Sequence, residues 1–158
     1  MNDTDRGPGV VIPPPLLYVG GFVVAWVLDR WLLFEIDDDG AGRAQVLVGA
    51  ALLVAGVWLV AWAIVTLVRA RTPVIPRRPA RQLVRTGPYR FGRNPIYLGL
   101  TVSYLGLALL FNRAWPLVLL PVVLAVLLTQ VVRREERYLR GRFGDAYADY
   151  GRQVRRWL

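Results

Sequence analysis

Four long apolar runs, at residues 16–34, 45–68, 96–111 and 115–132, constrain this chain more than any other feature. The apolar residues come in blocks rather than at one helical face. A bilayer core of ~30 Å needs about 20 such residues as helix, so the blocks predict an all-α integral membrane protein with about four transmembrane helices. The first run is not a cleavable leader: Asp3, Asp5 and Arg6 precede it instead of a basic stretch, and no small-residue cleavage site follows. Only Asn112, Arg113 and Ala114 separate the last two runs, which predicts a helical hairpin. The third run is short for a span and implies local mismatch or packing between neighbours. Pro116 suits a helix start, whereas Pro121 predicts a kink.

The distribution of arginine orients the spans. The chain has no lysine, and its net charge is +9. Arg69, Arg71, Arg77, Arg78, Arg81, Arg85, Arg90 and Arg93 crowd the middle loop without an acid among them, and the C-terminal tail is also Arg-rich. The first loop instead carries Glu35, Asp37, Asp38 and Asp39 against Arg43. The positive-inside rule then puts both termini and the middle loop in the cytoplasm, in a multi-pass protein of the inner membrane. Such a basic surface in a membrane protein faces anionic lipid, not nucleic acid. Asp29 and Arg30 fall near the outer end of the first run, where both are expected to reach water.

Two residue types are missing, and the chemistry narrows accordingly. Without cysteine there is no disulfide, thiolate nucleophile or thiolate metal site. Without histidine, the usual general base and metal ligand are gone. No metal is expected, and proton transfer falls to Glu, Asp, Tyr or water.

Two polar stretches carry more than loop chemistry. In the first, Pro73, Pro76 and Pro79 favour extended backbone, and Gly87-Pro88 marks a turn. Pro95 then fits the first turn of the third helix, with Asn94 as its N-cap and Tyr97 at the membrane surface. Capping by Asn94, anchoring by Tyr97 and headgroup contacts by the arginines form the plain structural account of this stretch. In the second, residues 133–150 continue the fourth helix. Glu136 has Arg140 at i+4 and Arg133 at i−3, so surface pairing on one helix accounts for it. Glu135 has Val131, Val132, Tyr138 and Leu139 as helical neighbours, and no cation. A carboxylate there needs a loop arginine or a cationic ligand. Leu139, Phe143, Tyr147 and Tyr150 extend the same face and predict that the tail folds back onto the loop.

Gly87-Pro-Tyr-x4-Asn-Pro-Ile-Tyr-Leu-Gly99, two spans, then Glu135-Glu136-x6-Phe-Gly-x2-Tyr-x2-Tyr150 and Val154-x-Arg156 resembles the isoprenylcysteine carboxyl methyltransferase family. That broad group of integral membrane methyltransferases includes relatives acting on phospholipids and small molecules. The resemblance covers about residues 71–157. It implies a cytoplasmic pocket for S-adenosylmethionine formed by Arg81, Gln82, Leu83, Val84, Tyr89, Asn94, Pro95, Ile96, Tyr97 and Glu135. Glu135, Asn94 and Tyr97 are the candidates for catalytic placement, and Glu135 is the natural partner of the cofactor's α-ammonium. There are two departures. Asn94 stands where the family usually has His. Val131 stands where members acting on prenylcysteine carboxylates have an Arg, which argues against that substrate.

The resulting expectation is methyl transfer to a lipophilic or amphipathic acceptor entering from the bilayer. Residues 1–70 form an N-terminal segment with two spans, and residues 71–158 form the cofactor-binding core. Two other readings stand beside it. One is a sterol-reductase-like enzyme, for which no Gly-rich dinucleotide fingerprint is present. The other is a non-catalytic protein that binds anionic lipid or a partner. Small residues at Gly49, Gly56 and Gly106 permit close helix contact, within one chain or between two.

Overall fold

A computed structural model describes residues 8–10, 12–75 and 79–157. Pro76, Arg77 and Arg78, like Asp3, Asp5 and Arg6, lie outside the described residues. Helices α1 (Pro14–Trp31), α2 (Arg43–Arg69), α3 (Pro95–Leu110), α4 (Trp115–Leu127), α5 (Arg133–Phe143) and α6 (Asp145–Gln153) make up the architecture. A 3-10 turn at Gly87–Arg90 precedes α3, and a π-helical turn at Leu128–Val132 joins α4 to α5. The described residues form no strand beyond an isolated bridge between Glu35 and Arg113.

Among the described residues, two helices are long and apolar enough to cross a membrane: α2, and the continuous helix from Trp115 to Phe143. Only 11% and 28% of their most apolar windows are buried within the protein. Leu47, Val54 and Trp58 on α2, and Val118 and Val122 on α4, face outward. Apolar surface left uncovered on this scale is covered by lipid, not water. The chain is a membrane protein. α3, at 16 residues, reaches about 24 Å at 1.5 Å per residue.

The helices pair differently from the expected hairpin. α3 packs mainly along α2, and α4 along α1, with little contact between α3 and α4. Glycines account for the first pairing. A Cβ at Gly56 would lie 2.6 Å from the Gly99 carbonyl oxygen, and one at Gly49 would lie 3.0 Å from that of Gly106. The small residues therefore serve contact within the chain, and they let the two backbones approach closely. On the other side of α3, Tyr104 stacks edge-on against Phe22 at 4.5 Å, among buried Tyr18, Val123, Leu127 and Val131.

Pro121 lies inside α4, and the ladder departs from α geometry at Leu128–Val132. Two local expectations are corrected. Asp29 does not reach for water: its side chain is 9% exposed and pairs at 3.7 Å with Arg113, which also binds Glu35 at 3.2 Å. Arg30 is exposed as expected, and lies over the Trp26 ring. The tail helix is two helices, because Gly144, at φ +52°, turns the chain between α5 and α6.

Candidate functional site

At the end of α3 opposite Arg113, the connecting loop, the start of α5 and the tail line a half-open cavity of about 150 Å³. Its placement begins with the 3-10 turn. Gly87 adopts φ +59° hard against Thr66 of α2, which buries Pro88 and Tyr89. Tyr150 of α6 donates to the Tyr89 carbonyl at 2.6 Å. Arg142 Nε donates to the Ala80 carbonyl at 2.6 Å, Ala80 N–H donates to the Tyr138 hydroxyl at 3.0 Å, and Arg85 donates to the Ala146 carbonyl. The tail thus folds onto the loop as its aromatic face requires.

The centre of the site is Glu135. Tyr97 donates its phenol proton to Glu135 Oε1 at 2.8 Å. Tyr97 is therefore no surface anchor; it is 7% exposed, and its carbonyl accepts from Thr101 at 2.8 Å and Tyr18 at 3.2 Å. Among the described residues no loop arginine reaches Glu135, whose partner is a neutral phenol. Glu135 lies three residues beyond the apolar run that ends at Val132. Burial pushes its carboxyl up to about 7, against the lowering effect of the Tyr97 hydrogen bond and with a smaller push from Glu136.

Glu136 contradicts the expectation of pairing on its own helix. Arg156 grips it as a fork, Nε to Oε1 and Nη2 to Oε2, both at 2.9 Å, and Arg93 Nη1 stands 3.5 Å from Oε1. The hydrogen bond with Glu136 is also what raises the Arg156 guanidinium most. Asn94 differs too. It occupies the N-cap position of α3 without a side-chain capping bond, and its amide instead donates to the Arg156 carbonyl at 3.0 Å. With Arg93 N–H donating to the Arg155 carbonyl at 3.0 Å, residues 154–157 form a strap across the entrance to α3.

The cavity brings together Gln82, Leu83, Val84, Tyr89, Asn94, Pro95, Ile96, Tyr97 and Glu135. Arg81 is exposed and does not line it. Sequence reasoning missed Arg93, Glu136, Tyr138, Tyr147 and Tyr150, which also line it, as do Pro8 and Leu67 from the N-terminal half. The spacing of Tyr147 and Tyr150 on the apolar face was the available signal for those two. Burial raises the hydroxyls of Tyr89 and Tyr150, the latter to about 12, so both remain neutral donors. The lining therefore offers one carboxyl without a cation at one edge, a guanidinium-rich cluster at another, and phenol rings between.

A sequence model of phospholipid methyltransferases matches residues 44–146, from the start of α2 to the start of α6. No curated protein and no solved structure matches the chain. The matched span contains the glycine seam, Tyr89, residues 93–97 and both glutamates, and it stops short of Tyr147, Tyr150 and Arg156.

Proposed function

The chain belongs to the phospholipid methyltransferase family, and from that we propose an S-adenosylmethionine-dependent methyltransferase acting on a lipophilic or amphipathic acceptor. The observation that carries the reading is Glu135: a half-buried carboxyl, hydrogen-bonded by Tyr97, that lines the cavity with no cation beside it among the described residues. In this reading α1 to α4 are four spans of the inner membrane. Both termini are cytoplasmic, and the site opens at the cytoplasmic surface.

S-adenosylmethionine supplies an electrophilic methyl group whose departure leaves a neutral thioether. The donor set suits such a ligand. Glu135 faces the cationic end, and Leu83, Val84 and the Tyr89 ring offer an apolar edge for the nucleoside. Tyr97 fixes the orientation of Glu135 through its hydrogen bond. Tyr138, Leu139, Tyr147 and Tyr150 of the tail helices wall one side of the cavity, which favours close positioning of the reacting groups. An acceptor that arrives as an anion needs no base. A protonated amine or a hydroxyl gives up its proton, and Glu135, near neutrality, is placed to receive it. Val131 is 0% exposed in the apolar core. With no cation at that position to hold a carboxylate, a prenylcysteine acceptor is disfavoured.

The test is calorimetric titration of S-adenosylmethionine and S-adenosylhomocysteine into detergent-purified protein, wild type and Glu135→Ala. Saturable binding, at least tenfold weaker in the variant, is the expected result. Folded protein that takes up neither nucleotide, in detergent and again in lipid, refutes the reading.

A further inference from the structure

Arg93 touches only the margin of the Glu136 clamp, and its surroundings give it a further place. Its side chain is 15% exposed and lines the cavity, yet its Nε is buried and makes no hydrogen bond. Nη1 is shared between the Tyr147 hydroxyl at 3.3 Å and Glu136 Oε1 at 3.5 Å. Glu136 is a poor counter-ion for it, because Arg156 already occupies both carboxylate oxygens at 2.9 Å in fork geometry. Two guanidiniums thus share one carboxylate, and one positive charge is left over beside the cavity. Tyr147 does not balance it: burial, then Glu136, raises its hydroxyl, so it stays neutral. A half-compensated buried cation is costly unless an anion joins it.

The opposite imbalance exists at Glu135, whose bonding partner is neutral. One cavity therefore holds an unmatched acid and an unmatched base on separate parts of its wall. A ligand bearing both an ammonium and a carboxylate satisfies the two together, whereas a simple cation or a simple anion satisfies only one.

We propose that Arg93 is a binding residue for the ligand's carboxylate, which makes the cavity a socket for a zwitterionic amino-acid group. Resting on the function proposed above, this assigns Arg93 to the carboxylate of the methionine moiety, with Glu135 at the ammonium end. The main chain of Arg93, held by the Arg155 carbonyl, keeps the guanidinium at this place. Gly151 leaves it room, since even a Cβ there would stand 3.4 Å from Nη1.

The experiment compares S-adenosylhomocysteine with its decarboxylated analogue, which keeps the nucleoside, the thioether and the amine. Both are titrated calorimetrically into detergent-purified wild type, Arg93→Met and Arg93→Lys. Wild type should prefer the carboxylate-bearing ligand roughly ten- to hundredfold, the range of a charge-assisted hydrogen bond. Arg93→Met should bring the ratio close to one while keeping affinity for the analogue, and Arg93→Lys should fall between. A wild type that binds both ligands equally overturns the assignment without recourse to any variant. A preference unchanged in Arg93→Met, or in Arg93→Lys should the methionine variant not fold, also overturns it and leaves Arg93 a structural tie. Binding of neither ligand by wild type is a different result: it refutes the methyltransferase reading itself.

Discussion

Replacing Glu135 by Gln should stabilise the ligand-free protein, and should do so only as the pH rises. The folded state holds the Glu135 proton more tightly than the unfolded chain, with the carboxyl at about 7 instead of its ordinary 4.5. Below 4.5 both states are protonated, and the group contributes nothing to the pH dependence. Between 4.5 and 7 the unfolded chain ionises first, so wild-type stability falls by about 1.4 kcal/mol per pH unit. Above 7 both states are ionised, and the loss levels off at about 3 kcal/mol. Glutamine carries no charge and escapes this penalty, although its amide oxygen accepts the Tyr97 hydrogen bond less strongly, at a cost of about 1 kcal/mol. The variant should therefore match wild type to within about 1 kcal/mol at pH 5 and exceed it by about 2 kcal/mol at pH 8. Equilibrium unfolding in mixed micelles, followed through the six tryptophans, measures both. A difference that is the same at pH 5, 6.5 and 8, or a variant less stable at pH 8, would show that Glu135 is ionised and compensated in the fold, and the burial reasoning would fail.

The same carboxyl sets the pH dependence of ligand binding. Only the ionised form attracts an ammonium, so S-adenosylhomocysteine affinity should fall about tenfold per pH unit from 7 to 5 and be flat above 8; calorimetry should find that slope absent in Glu135→Gln. In the helix pairing, Gly56→Leu should cost about 3 kcal/mol or more, since its Cβ meets Gly99 backbone at 2.6 Å. Gly141→Ala, with nothing within 4 Å in the exposed α5, should instead stabilise by about 0.5–1 kcal/mol. Thermal unfolding of the two variants, which should shift in opposite directions, checks the pair.

What was legible in the sequence is what neighbouring residues determine. The run at 45–68 became Arg43–Arg69 and that at 96–111 became Pro95–Leu110, because hydropathy and proline positions mark helix ends locally. The residues that the resemblance singled out from Gln82 to Val84 and from Asn94 to Tyr97 lie along one cavity, where backbone places them. Partners far along the chain were not legible. Glu136 has two arginines within helical reach, yet it binds Arg156, 20 positions away. Asn94 has the composition of a cap, but its amide is drawn to the Arg156 carbonyl, 62 positions away. Asp29 and Arg113 meet only because α1 and α4 lie together. Periodicity assigns a face to each helix without saying what covers it. The pairing of α3 with α2 rested on glycines whose partners only the fold identifies.

Glu135 and Glu136 are adjacent, and the helix separates them completely. Successive residues point about 100° apart, so one side chain turns to α3 and the other to the tail. Glu136 meets a forked arginine and acts as a clamp, holding residues 154–157 against the start of α3. Glu135 meets a phenol where its carboxyl is desolvated, which pushes it up to about 7. That is the range an imidazole would occupy, in a chain that has no histidine. A group that titrates near neutrality therefore does not require the residue usually assigned to it. It requires a carboxyl deprived of cations, and the cations here lie elsewhere: Arg156 forks Glu136, Arg142 binds the Ala80 carbonyl, and Arg133, Arg137 and Arg140 are exposed. The sequence signature of such a site is a pair of adjacent acids of which only one has a partner.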